Sequence, residues 1–238
     1  EVKGFDQPGT FKNVGFKLRK GEILGFAGLM GSGRTEIMRA IFGVDKCKAG
    51  EIILNGKSIK ISKPEDAIAA GIGFVTENRK SEGLILDFSI MRNIALPSVD
   101  NFASKGVIDF KQVNGFAEEM ASKLGVKAHS LDLEVGALSG GNQQKVVIAK
   151  WVGKQPDIII MDEPTRGIDV GAKRDIYELM NELTANGVSI IMVSSELPEV
   201  LGMSDRIVVV HEGHIAGELL HDEATQEKIM TLATGGQK

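Results

Sequence analysis

The sequence predicts an α/β domain with a largely parallel sheet at its core and an inserted helical subdomain. Three observations predict it. Ile158-Ile159-Ile160 and Val188 to Val193 are continuous apolar runs, as expected of strands covered on both faces in a parallel sheet. The apolar segment ending at Phe26 enters a glycine-rich loop that opens an amphipathic helix, and this strand–loop–helix order is the unit from which α/β sheets are built. In the middle of the chain Phe110, Val113, Ala117, Met120 and Leu124 recur at spacings of three and four, the mark of an amphipathic helix.

The elements follow in order. Thr10 to Phe26 reads as strand, turn and strand, with Lys20-Gly21-Glu22 as the turn. Residues 35–42 read as a helix with Ile37, Met38 and Ile41 on one face. Glu51 to Leu54 is a strand closed by the turn signal Asn55-Gly56. Pro64 opens a short helix through Ala70, and Ile72 to Val75 is a short strand. Ser89 to Leu96 and the helix over 110–124 belong to a helical insertion at roughly 85–150. Residues 171–185 form a helix between the two apolar strands. Ile207 to Val210, Gly217-Glu218 and a helix near 223–234 close the core.

Composition bounds the function. At 238 residues and 42% hydrophobic the chain can bury a sizeable core. Its net charge of −4 supplies no basic field for nucleic acid. The single cysteine, Cys47, excludes an internal disulfide and fits a reducing compartment. No apolar stretch approaches the ~18–20 residues that cross a bilayer. The first residue is Glu1 rather than Met, which fits a piece cut from a longer chain.

Two stretches carry chemistry. Gly28-Leu29-Met30-Gly31-Ser32-Gly33-Arg34-Thr35, with Glu36 after it, has the glycine spacing of a phosphate-binding loop. Glycines let the backbone approach phosphate, and the helix N-terminus adds its positive end. Thr35 is placed to give its hydroxyl to Mg²⁺. Arg34 stands where such loops have lysine, and a planar fork does not replace a point charge. The second stretch is Asp162-Glu163, at the end of an apolar strand. On an extended segment these point to opposite faces, so Asp162 is assigned to the metal and Glu163 to orienting and deprotonating an attacking water. A buried carboxylate pair is costly unless a cation compensates it. His211 and His214 flank Glu212-Gly213, which reads as a surface hairpin turn rather than a metal site.

With Leu138-Ser139-Gly140-Gly141-Asn142-Gln143, these motifs resemble, over essentially the whole chain, an ATP-binding cassette (ABC) ATPase, which implies an α/β P-loop NTPase core with an antiparallel β-subdomain and an inserted helical subdomain. Gly21 to Gly25, Gly28 to Glu36, Glu77-Asn78-Arg79-Lys80, Pro164 to Asp169 and Val193 to Glu196 look most like the second cassette of the tandem ATP-binding subunits of bacterial ribose, galactose and xylose importers. The stretch from Met203 to His214 looks most like the ribose branch. The resemblance implies ATP and Mg²⁺ as ligands and residues 1–238 as one cassette of a two-cassette chain. It implies ATP hydrolysis coupled to sugar uptake, at the cytoplasmic face of the bacterial inner membrane. It also implies three partners: the N-terminal cassette, the transmembrane permease subunits and, indirectly, a sugar-binding protein.

The resemblance assigns Ser139, Gly140, Gly141, Asn142 and Gln143 to the signature, Asp169 to the D-loop, Glu77 to the Q-loop position and Ser195 to the switch-histidine position. Arg34, Glu77 and Ser195 all depart from a fully active cassette near the γ-phosphate, and slow hydrolysis at this chain's own loop is expected. In such families cassettes dimerise head to tail. Ser139 would cap the helix over 140–152, with Gly140-Gly141 baring its amides toward a partner's nucleotide. A residue for stacking on adenine is hard to place, since Phe5 and Phe11 fall in strand positions. Two rivals stay open: a nucleotide-binding regulatory module that does not hydrolyse, and a cassette ATPase acting on ribosomes or DNA.

Overall fold

The computed structural model describes residues 1–236. From the N-terminus, β1 (Val2–Gln7) and β2 (Phe11–Phe16) form an antiparallel pair, and β3 (Ile23–Gly28) leads to α1 (Arg34–Ile41). Then come β4 (Ala49–Leu54), β5 (Lys57–Ile59), α2 (Pro64–Ala69) and β6 (Ile72–Val75). The middle holds α3 (Ile90–Ala95), a small hairpin of β7 (Ala103–Ser104) and β8 (Val107–Ile108), α4 (Phe110–Lys123) and α5 (Gly140–Val152). The last part runs β9 (Ile158–Asp162), α6 (Val170–Ala185), β10 (Ser189–Val193), α7 (Leu197–Met203), β11 (Arg206–His211), β12 (His214–Leu220) and α8 (Gln226–Ala233).

The chain divides into two compact units. The first comprises Glu1–Phe74, Asp157–Glu163 and Leu183–Lys238. It holds a six-stranded sheet in the order β12-β11-β3-β10-β9-β6 and a four-stranded sheet in the order β2-β1-β4-β5. In the larger sheet β3 lies parallel to both β10 and β11, and β10 parallel to β9. Residues Ile158 to Met161 and Ser189 to Val193 alternate no polarity because both faces are covered. One face carries α7 and α8, where Ala27, Val200, Ile207, Val209, Ile229 and Leu232 form a buried cluster. The strands on either side of Lys20-Gly21-Glu22 form as expected but lie in different sheets: β2 pairs with β1, while β3 joins the parallel sheet. A buried ion pair fixes the link between them, with Arg206 Nη2 and Nε donating to Glu22 Oε1 and Oε2 at 2.7 and 3.0 Å.

The second unit comprises Val75–Pro156 and Pro164–Glu182, so it includes residues on both sides of the expected 85–150. It is helical, with α3, α4 and α5 packed on one another. In α4, Val113, Ala117 and Met120 are buried as their spacing requires, and Asp109 caps the helix through the amides of Lys111 and Gln112. Phe110 departs from the pattern and is exposed, because it opens the helix beside the β7–β8 hairpin.

Candidate functional site

In open parallel sheets ligands bind beyond the carboxyl ends of the strands. Here β3 ends at Gly28, β9 at Asp162 and β10 at Val193, and the register sets Val193 opposite both Phe26 and Asp162. The residues that follow each strand therefore emerge side by side. Gly28 has φ 155, and a Cβ there would stand 2.4 Å from the Val210 carbonyl oxygen. Gly33, with φ 100, turns the chain into α1, a left-handed position that a side chain would strain. Met30 and Gly31 are exposed at the loop crest. The loop is braced from behind: the Ser32 carbonyl accepts from Gly213 N at 2.8 Å, and the Gly213 carbonyl from Lys12 N at 2.9 Å. Gly213 belongs to the β11–β12 turn, so the hairpin read from His211 to His214 serves as a buttress of the glycine-rich loop. Among the described residues no three His, Cys, Asp or Glu side chains cluster as a metal site.

Arg34 and Thr35 start α1, and Glu36 is an acid in its first turn. The Arg34 side chain is buried and turned back toward the strand ends, where Nη1 donates to the Ser194 carbonyl at 2.7 Å. Its Nη2 lies 3.9 Å from Glu163 Oε1. Burial pushes the guanidinium down from its ordinary range, while Glu163, Asp162 and Glu36 pull it back up. Ser195 Oγ donates to the other Glu163 oxygen, Oε2, at 3.1 Å. Glu163 is thus held from both sides by Arg34 and Ser195, and burial outweighs both in raising its carboxyl above the usual range.

Here the structure corrects the extended reading of the carboxylate pair. The strand stops at Asp162, and Glu163 takes φ 49 with its amide bonded to the Val193 carbonyl at 2.8 Å. The two acids separate by a left-handed turn of the backbone rather than by the alternation of a strand. Such a conformation costs roughly 1–2 kcal/mol in a residue with a Cβ, and it tips Glu163 toward Ser195. Asp162 is wholly buried, and neither of its oxygens has a hydrogen bond of normal geometry. Burial pushes its carboxyl up to about 6, against the neighbouring Thr35 hydroxyl and Arg34. Two hard oxygen donors left unsatisfied in a buried site match a hard cation that takes its remaining ligands from phosphate and water.

The second unit holds the other expected residues. Ser139 caps α5, its Oγ accepting from Asn142 N at 3.4 Å and from Asn142 Nδ2 at 3.2 Å. The Asn142 Oδ1 accepts from Lys127 N at 2.8 Å. Gln143 is buried, and its Nε2 donates to the carbonyls of Val135 and Gly136 at 3.3 and 3.4 Å. Gln143 is therefore a structural strut rather than an exposed recognition residue. The glycine pair also has a packing reason: a Cβ at Gly141 would come within 2.5 Å of Ala172 Cβ, and one at Gly140 within 2.8 Å of Arg79 Nη2. Asp169 Oδ1 accepts from Ala172 N at 2.9 Å and so starts α6. Glu77 forms an ion pair with Arg166, so its charge is met within the unit. Phe5 and Phe11 are buried, which removes both as platforms for a base.

The family model described as ABC transporter matches residues 11–166. The chain belongs to the ABC transporter family. Among curated relatives, this cassette is 62% identical over 236 residues to the ribose import ATP-binding protein RbsA of Oceanobacillus iheyensis, covering 99% of the chain and 48% of that protein. It is 60% identical over 237 residues to the ribose import ATP-binding protein RbsA of Bacillus subtilis, covering 100% of the chain and 48% of that protein. The cassette thus spans about half the length of the curated relatives it matches. Solved structures share its fold. A dimeric ATP-binding cassette in a post-hydrolysis state with ADP and Pi matches at TM-score 0.77 and 24% identity, over 92% of this chain and 97% of that one. A nucleotide-free cassette matches at TM-score 0.83 and 22% identity, over 98% of both.

Sequence reasoning missed Ser194, whose carbonyl anchors Arg34. A backbone acceptor leaves no compositional trace. Nor does any local pattern mark the partners of Arg79, whose Nη1 and Nη2 donate to the carbonyls of Arg166 and Gly167 at 2.7 and 3.1 Å.

Proposed function

We propose that this cassette binds ATP and Mg²⁺ as part of a ribose-type importer, hydrolyses slowly at its own loop, and completes a partner's site with its signature. Gly28, Met30, Gly31, Ser32, Gly33, Arg34, Thr35 and Glu36 would receive the phosphates. Thr35 and Asp162 would hold Mg²⁺, which neutralises phosphate charge when bound. Glu163 would take the proton of the attacking water. The partner cassette is the N-terminal one of the same subunit. The permease subunits and a sugar-binding protein would complete an importer whose ATP-binding part lies at the cytoplasmic membrane face. The relatives' printed name and the coverage of about half their length support this reading; no helix of the described residues is long and apolar enough to cross a membrane.

The observation that carries slow turnover is the engagement of Arg34. Its fork is bonded to the Ser194 carbonyl and faces Glu163, so neither group is free for the reaction. To meet phosphate, Arg34 must leave a buried carbonyl unsatisfied, and a lost charged hydrogen bond costs about 1.5–3 kcal/mol. Arg34 and Ser195 both favour the ionised form of Glu163 and so oppose its taking a proton from water. Residue 195 carries only a short hydroxyl, already spent on Glu163, and supplies no donor with the reach of an imidazole. On the signature side the Ser139 hydroxyl accepts from the neutral Asn142 N and Nδ2 in capping α5, and it is exposed at the helix mouth.

Calorimetric titration of the purified chain with ATP and Mg²⁺, followed by phosphate release on the same sample, tests this. Binding with release below about one turnover per minute is expected. Brisk release abolished by Glu163→Gln would contradict the slow-site reading. Absence of any binding would contradict the nucleotide reading altogether.

A further inference from the structure

The segment after β6 is fastened at both ends within the second unit. Residues Arg79–Gly83 form one wide helical turn, opened by Asn78 Oδ1 accepting from Ser81 N at 3.3 Å. At its start the Arg79 fork donates to two successive carbonyls, Arg166 at 2.7 Å and Gly167 at 3.1 Å. At its end the Gly83 carbonyl accepts from Lys150 Nζ, in the last turn of α5. The same guanidinium lies against the first residue of α5, since a Cβ on Gly140 would stand 2.8 Å from Arg79 Nη2 and 3.1 Å from the Gly167 carbonyl oxygen. Two residues beyond Gly167, Asp169 caps α6 and its Oδ2 reaches to 4.0 Å of the Cβ position of Gly141.

We infer that Arg79 is a positioning residue that locks the 166–169 loop against the N-terminus of α5, so that Ser139 and Asp169 are presented as one rigid face. The chemistry needs arginine. Two carbonyls from consecutive residues point the same way and require two donors held in a plane, which a guanidinium has and an ammonium lacks. Charge alone is a poor explanation, because Lys80 beside it is exposed whereas Arg79 is half-buried. Glu77, paired with Arg166, closes the other side of the same loop. A shift of the segment after β6 would therefore be passed through one side chain to the loop before Asp169 and to the signature mouth. This rests on the reading that the signature face completes a partner's site.

The test uses the complete two-cassette subunit assembled with its permease subunits, carrying Arg79→Ala or Arg79→Lys in this cassette. The alanine variant is expected to lose about tenfold in the kcat of ATP hydrolysis with the KM for ATP unchanged, and lysine to recover only part of the loss. Amide exchange of the same variant reads the loop directly. Ala172 and Lys173, whose amides bond to Asp169 Oδ1 and to the Asp169 carbonyl, are expected to exchange about tenfold faster, with Val146 to Ile148 unchanged. Unchanged exchange at Ala172 and Lys173, a rise in KM at constant kcat, or a uniform increase through α5 would each overturn the proposal. Failure of the wild-type chain to bind ATP would overturn the functional reading yet leave the exchange result standing, so the two failures are distinguishable.

Discussion

The phosphate-loop end and the signature end of this cassette are both built on a helix N-terminus, yet they treat their polar groups in opposite ways. At the mouth of α1 Arg34 is buried and spent on Ser194 and Glu163, and Glu163 is spent on Ser195. At the mouth of α5 the cap is a neutral hydroxyl, the next two residues lack side chains, and the nearest cation, Arg79, points at carbonyls behind the helix. The first mouth must rearrange before it can stabilise developing negative charge. The second is already organised. Preorganised donors cost no reorganisation during reaction, so the difference predicts which half contributes more to a shared turnover.

The comparison can be broken most sharply at Gly141. Valine there would drive into Ala172 and the mouth of α6, and the proposed two-cassette complex is expected to lose 10²–10³-fold in hydrolysis. ATP affinity at this chain's own loop should stay within about threefold, as read by calorimetry. Equal losses of both would mean that the two ends are not separable.

At the far end of α5, Lys150 is buried with its ammonium on the Gly83 carbonyl, and burial holds its pKa down to about 8. A depressed lysine binds fewer protons folded than unfolded between about 8 and 10.5, so stability rises with pH through that window. Denaturant titrations of wild type relative to Lys150→Met should show a gain of up to ~3 kcal/mol. A flat difference would mean that the ammonium is fully compensated at neutral pH.

On the phosphate-loop side, Arg34→Lys replaces the fork with a compact charge that can leave Ser194 for phosphate. Phosphate release by the chain is expected to rise about tenfold. No rise would place the limiting defect at Ser195 or Glu77. The smallest effect belongs to Ser195→Ala, which removes one hydrogen bond to Glu163 and should cost about 1 kcal/mol of stability in a urea titration.

Much of this was legible in the sequence, and the failures share a cause. The apolar runs at 158–160 and 188–193 and the periodic residues of α4 announced themselves because burial acts on side chains. The loop at 28–35 and the signature were legible because glycine spacing records where backbone must pass close. What escaped was set by long-range backbone contacts. The partner of Arg34 is a carbonyl at Ser194, and those of Arg79 are carbonyls at Arg166 and Gly167. The left-handed turn at Glu163 follows from the bond of its amide to Val193, which no local pattern encodes. The strands on either side of Lys20-Gly21-Glu22 likewise lie in different sheets, because the bidentate Arg206–Glu22 pair sends the chain into the second sheet.

The central claim is that this cassette serves turnover through its signature more than through its own loop. Its most direct test is one assay of ATP hydrolysis by the proposed two-cassette importer complex, with Ser139→Arg in one preparation and Arg34→Ala in another. The account predicts a loss of about 100-fold or more for Ser139→Arg and less than about tenfold for Arg34→Ala. The reverse order would contradict it.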